Sequence, residues 1–311
     1  MKTILFALGI LALPAAAFAQ SSPAPSPAAV SPSPSPTPTP APKAFTLNGF
    51  ADTGIVSASA ASRTNAITGR VFDTLSGQPQ FHNLNLTATQ TGTIGGKIEL
   101  SAGDDADVIN SYPKFGAQSE LDITQAYLSL GAGRFTLIGG KFESLAGAEV
   151  IESPSNLDFS RSILFGFAVP FTHTGARLTY AATPQVSLIA GLNKGWDTTR
   201  TVAANGDNNR LTAEYGVAWN PGKALSLTAQ SYSGIVEPAD LAANQRRSLV
   251  DLVATYHLND KLQFVANYDT GSQTNTALLN GAGTVINASG KPAWNGLAGY
   301  VSDALTAKLS A

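Results

Sequence analysis

From Phe45 onward, apolar residues return at every second position. Leu211, Ala213, Tyr215, Val217 and Trp219 alternate with Thr212, Glu214, Gly216, Ala218 and Asn220. Successive side chains of a strand point to opposite faces, so one face here is apolar and aromatic and the other carries a carboxylate and an amide. The pattern recurs in Ile94–Leu100, Ala176–Tyr180, Leu225–Ala229, Val250–Tyr256 and Leu262–Tyr268. One such strand suits a soluble sandwich. A long succession with polar residues on the second face suits a barrel in lipid. The pattern predicts strands near 45–56, 81–91, 94–102, 121–131, 135–143, 171–181, 185–195, 209–219, 224–232, 247–258, 261–270 and 292–302, with a partial strand from 305.

The connections alternate in length. Short turns are predicted near 91–95, 131–134, 182–184, 220–223, 258–261 and 302–304, and long polar loops at 57–80, 103–120, 144–170, 196–208, 233–246 and 271–291. Outer-membrane barrels have short periplasmic turns and long extracellular loops, which puts the start of the first strand on the periplasmic side. The expected fold class is all-β, an antiparallel transmembrane β-barrel of 12–16 strands. Bacterial barrels have an even strand number and an open edge is costly in lipid, so the odd count predicts a barrel that is incomplete at its C-terminus. Two segments break the alternation. In 121–131 the apolar face passes from Leu121 and Ile123 to Ala126, Leu128 and Leu130 without a glycine at the switch. In 135–143, strict alternation places Lys141 and Glu143 with Phe135 and Leu137, and a bulge at Gly139-Gly140 is expected to turn Lys141 away from lipid.

Composition adds the ends of the chain. Residues 1–19 read as a signal peptide: Lys2, an apolar run from Ile4 to Leu13, and a small-x-small site at Ala17-Phe18-Ala19. Residues 20–43 read as a disordered linker in which nine of the eighteen prolines fall, a semi-rigid periplasmic spacer. Residues 44–311 are then the barrel domain. Charged residues are only 13% of the chain, yet no apolar run after the leader reaches the roughly 20 residues of a membrane helix. There is no Cys, which removes disulfides, thiolate metal sites and a lipoprotein anchor. A net charge of −2 with no basic face gives nucleic acid nothing to bind.

Several runs are similar to a known family. They are Gly140-Lys141-Phe142-Glu143, Gly147-Ala148-Glu149-Val150-Ile151, Asn156-Leu157-Asp158-Phe159-Ser160-Arg161-Ser162, Leu164-Phe165-Gly166 and Pro170-Phe171-Thr172-His173-Thr174-Gly175. With Ile123-Thr124-Gln125-Ala126-Tyr127 and Asn193-Lys194-Gly195-Trp196-Asp197, they resemble the putative β-barrel porin-2 (OmpL-like) outer-membrane family over about 45–311. The resemblance implies an outer-membrane barrel, a general porin and the barrel assembly machinery as a partner. It carries no substrate and no set of pore residues. Such barrels end in a strand with a terminal aromatic, whereas this chain ends Lys308-Leu309-Ser310-Ala311.

Chemistry beyond a pore has little support. His82, His173 and His257 lie on different strands, and no hydrolase, phosphate-loop or metalloprotease motif is present, so no catalytic, cofactor or metal residue is assigned. Asp104, Asp105 and Asp107 lack calcium-loop spacing and read as a solvated loop. The 144–170 loop is the main candidate. It is long and partly apolar, and it carries Glu149, Glu152, Asp158 and Arg161, so it is expected to fold into the lumen as a constriction. Lys97, Glu99, Lys141, Glu143, His173, Arg177, Glu214, Asp251 and Asp269 complete the expected pore lining, with a weak cation preference. The first functional reading is a passive diffusion channel for small hydrophilic solutes or ions. The second is a structural or adhesive barrel tethered toward the cell wall by the Pro-rich segment, and the third is an outer-membrane enzyme. Lipid and a homo-oligomer are the further expected partners, the latter by analogy.

Overall fold

The computed structural model describes residues 44–59, 65–111, 120–199, 211–235, 246–274, 276–279 and 285–303. The expected leader, linker and strand from 305 lie outside them. Fourteen strands are described: β1 (Phe45–Ile55), β2 (Pro79–Gln90), β3 (Ile94–Ala102), β4 (Leu121–Ala132), β5 (Phe135–Glu143), β6 (Thr172–Ala181), β7 (Val186–Asn193), β8 (Thr212–Trp219), β9 (Leu225–Ile235), β10 (Arg246–His257), β11 (Leu262–Thr274), β12 (Thr276–Leu279), β13 (Val285–Gly290) and β14 (Ala293–Asp303). Two short helices, α1 (Asp104–Ile109) and α2 (Ile163–Ala168), lie in the connections.

Twelve strands form one antiparallel sheet in the order β1 to β11 and then β14, each beside its neighbour in sequence. Among the described residues β1 pairs with β2 alone and β14 with β11 alone. The twelve complete strands read from alternation are the twelve of this sheet. The loops were read too long on one side. β9 and β11 continue to Ile235 and Thr274, where β10 pairs with both, and β12 and β13 form a separate hairpin inside the expected loop at 271–291.

Exposure is inverted relative to a soluble protein. Leu47, Leu86, Ile98, Leu128, Leu137, Leu188, Tyr215, Val217, Leu252, Phe264 and Leu297 are exposed, and Leu297 reaches 75%. On the opposite face Asn85, Glu99, Ser101, Gln125, Arg177, Glu214, Gln230, Asp251, Asn267 and Asp269 are buried. Apolar side chains turned outward along most strands of the sheet are stable against hydrocarbon and costly against water. No helix among the described residues is long and apolar enough to cross a membrane. Phe135 stacks on Tyr180 with ring centroids 4.7 Å apart, beside the Arg134 turn, and Trp219 and Tyr256 also sit at strand ends. Tyr268 is mid-strand, opposite Leu252 and Leu297.

Both breaks in alternation have a local cause. Glu99 faces Gln125 and Leu100 faces Ile123, so Thr124 is an extra residue in β4, and Thr124 and Gln125 are both buried. That one-residue bulge moves the apolar set to the other parity without needing a glycine. In β5 the pairing with β4 and β6 runs unshifted through Gly139-Gly140, so the expected bulge is absent as a register change. Gly140 instead adopts φ 138°, and a Cβ there would strike the Ala126 carbonyl and the Tyr127 Cα. Lys141 still turns from lipid: it is 9% exposed, with Nζ 3.0 Å from both Asp122 carboxylate oxygens.

Candidate functional site: the infolded loop and its seat

The connection between β5 and β6 lies against the inner face of the sheet. Ser153 donates to Asp52 of β1, and Phe159 meets the His82 ring of β2 edge-on at 5.3 Å. The Leu145 amide donates to the Tyr232 hydroxyl of β9 at 3.1 Å, and the Ala148 amide to Asn267 Oδ1 of β11 at 3.0 Å. At β14, Tyr300 donates to Glu149 at 2.7 Å and Trp294 Nε1 to the Ala168 carbonyl at 3.2 Å. Leu164 of α2 occupies the space a Cβ at Gly296 would need. One loop thus touches the first strand, the last strand and several between.

Its fold follows from its own residues. Ser162 caps α2 by accepting from the Phe165 amide at 3.1 Å. Glu149 accepts from the Ser162 amide at 2.9 Å and from its hydroxyl, closing the loop on itself. Asn156 spans the turn, accepting from the Val150 amide at 2.8 Å and donating to the Val150 carbonyl at 2.8 Å. The apolar residues have a use here. Ile151, Phe165, Ala168, Val169 and Phe171 pack with Phe72, Ile109, Tyr232 and Leu249 into a compact core on the inner side of the sheet.

The thirteen expected pore residues are on the inner side or in this loop, in separate groups. Lys97, Glu99, Glu143 and Glu152 come together. One oxygen from each carboxylate lies within 4.8 Å of the others, and Lys97 Nζ is 2.6 Å from Glu99 and 3.9 Å from Glu152. Glu99 also accepts from Asn85 at 2.7 Å and Gln125 at 2.9 Å. Arg177 donates to Glu214 at 2.8 Å and to the Glu143 carbonyl at 3.0 Å, and its guanidinium lies over Phe142. His173 stacks on Tyr232 and bonds the Gly195 carbonyl through Nδ1. Asp251 and Asp269 face each other across β10 and β11, with Asn267 donating to Asp251 at 2.6 Å. Asp158 shapes a turn, its carboxylate accepting from the Ser160 amide at 3.2 Å.

Glu99, Arg161, His173, Glu214, Asp251 and Asp269 are almost fully buried. One expectation needs correction. The Asp104–Asp107 stretch is not a solvated loop. It forms α1, whose Asp105 is buried between His82, at 3.2 Å, and Arg161, at 2.9 Å. Arg161, with φ 51°, also donates to the Ile151 carbonyl and covers the Phe72 ring.

Sequence reading missed Tyr232, Asn267 and Tyr300. Tyr232 continues the inward phase of Ser226, Thr228 and Gln230, so alternation alone could have flagged it. Asp197, on the loop after β7, accepts from the Phe171 and Thr172 amides at 2.8 Å and fixes the far end of the infolded segment. Burial pushes its carboxyl up to about 6.

Residues 44–311 match the model of the putative beta-barrel porin-2, OmpL-like family. The chain belongs to that family. It is therefore an outer-membrane β-barrel protein of the porin kind, of the bacterial outer membrane, and its exposed apolar face suits lipid. Among solved structures, it is similar to OccK8 (OprE) of Pseudomonas aeruginosa at 13% identity and TM-score 0.38, over 84% of this chain and 64% of that one. A loop L8 deletion mutant of OmpT, an outer membrane protein of Vibrio cholerae, matches at 12% identity and TM-score 0.35 over 84% and 85% of the two chains. OccD3 (OpdP) of Pseudomonas aeruginosa matches at 11% identity and TM-score 0.33, over 62% of this chain and 44% of that one. This chain thus spans less than half the length of OccD3. No curated protein sequence matches it.

Proposed function

We propose that the protein is a passive diffusion channel for small hydrophilic solutes or ions, narrowed by the loop at 144–170. The observation that carries this reading is the course of that loop across the inner face from Asp52 on β1 to Tyr300 on β14. A segment so placed leaves less room for solute. At the group formed by Lys97, Glu99, Glu143 and Glu152, three carboxylates face one ammonium, which favours cations over anions. Residues 1–19 would direct export and 20–43 would lie in the periplasm. The barrel assembly machinery, lipid and further copies of the chain would be its partners.

Single-channel recording in planar bilayers tests the reading. Deleting 150–162 should raise conductance, and unchanged conductance overturns the constriction. The apolar core at Phe72, Ile109, Ile151 and Phe165 favours a second reading, a structural barrel tethered by its Pro-rich segment. A full-length protein that inserts into bilayers and passes no current would select it.

A further inference from the structure

The contact between Glu152 and the wall is built from like charges. Glu152 belongs to the infolded loop, whereas Glu99 and Glu143 belong to β3 and β5, and one carboxylate oxygen of each lies within 4.8 Å of the others. Carboxylates this close attract one another only if one carries a proton. Glu99 is already supplied with donors from Lys97, Asn85 and Gln125, so it has the strongest claim to remain ionised. With all three acids ionised, Lys97 would leave two negative charges uncompensated.

We propose that Glu152 is a proton-operated latch: protonated, it holds the loop against β3 and β5, and ionised, it is repelled by Glu99 and Glu143 and lets this part of the loop leave the wall. The latch rests on the channel reading for its effect on current, because it regulates the same constriction. Other groups around it are accounted for. Lys97 favours the ionised form but is drawn first to Glu99. Arg177 of β6 is committed to Glu214. Tyr127 of β4 faces Lys97, Glu143 and Glu99. Asp52 of β1 holds the adjacent Ser153. Arg161 with Asp105, and Glu149 with Tyr300, hold the remainder of the loop, so release is confined to the neighbourhood of Glu152.

Burial, with Glu143 and Glu99 alongside, pushes the Glu152 carboxyl well above the ordinary glutamate range. The sign follows. Docking is fully favoured below the free-loop value of about 4.3 and weakens as pH rises through the raised value of the docked state. Between the two values, one proton linked to release increases the ratio of released to docked loop about tenfold per pH unit, and above the docked value the ratio no longer changes.

The chain has no cysteine, so spin labels can be placed at Ser155→Cys in the loop and Thr89→Cys on β2 without other changes. Pulsed EPR distances in the full-length protein in lipid vesicles, from about pH 4 to about pH 9, then report docking directly. The wild-type distance should lengthen as pH rises and channel conductance should rise with it. Glu152→Gln should stay docked throughout, and Glu143→Gln should release less of the loop at high pH. A wild-type distance independent of pH, or an unchanged profile in both variants, overturns the latch. A label that moves in a protein that passes no current keeps the latch and removes the channel reading. A pH-independent current with a fixed distance removes the latch and keeps the channel.

Discussion

The two faces of the sheet are held by different physics. The outer face presents Leu, Ile, Val, Phe, Tyr and Trp to hydrocarbon, with specific pairing as rare as the Phe135–Tyr180 stack among the described residues. The inner face is a set of paired groups: Lys141 with Asp122, Arg177 with Glu214 and Tyr232, and Arg161 with Asp105 and His82. Lipid asks only that an outward residue be apolar, so the cost of a substitution there depends on its polarity. An inner residue that is removed leaves its partner buried without compensation, so the cost depends on what remains.

Arg161→Ala should show the largest effect. It strips the cation from a site where Asp105 and Asp73 are buried around His82, and breaking such a pair costs about 3–5 kcal/mol. Chemical unfolding in detergent would measure it. A loss as small as that of an exposed pair would mean that water reaches the site. On the outer face, Leu297→Arg should cost about 2–4 kcal/mol, the penalty for a cation facing mid-bilayer. Leu297→Ala should cost far less, because that side chain is mostly outside any protein contact. Equal losses for the two substitutions would place Leu297 against protein. Tyr232→Phe is a finer probe. It removes the hydroxyl that accepts from the Leu145 amide and donates to Glu214, for a loss of about 1–3 kcal/mol. If stability is unchanged, the loop's entry into the inner face does not rest on this bond.

The difference between the faces also decides what could be read in advance. Outward positions announce themselves, since Leu211 to Trp219 or Ile94 to Leu100 need only a two-residue period. The twelve strands of the sheet and the alternation of turn and loop were legible for that reason. A bulge leaves no signature of its own. The parity change around Thr124 was visible, but its cause needed the register with Glu99 and Leu100. The inward set was legible as a list and not as a network. Glu152 and Glu99 lie far apart in sequence, and nothing local tells Glu152 which wall residue it will meet. Asp105 misled most, because its partner Arg161 comes 56 residues later. In isolation, three aspartates near one another look solvated.

The reach of the infolded loop also bears on the order in which the molecule assembles. Its wall contacts span 101 residues from Asp52 to Ser153 and 151 from Glu149 to Tyr300. Contacts of such separation carry the largest chain-closure cost and are rewarded late. Neighbouring strands of the sheet are joined by far shorter stretches, the longest being the 28 residues between Glu143 and Thr172. β14 must therefore be in place before the loop has both of these supports, and until then Leu164 and Ala168 of α2 lack their contacts with Gly296 and Trp294. Tyr300 in this sense acts as a late anchor: its bond to Glu149 forms only once β14 has joined β11.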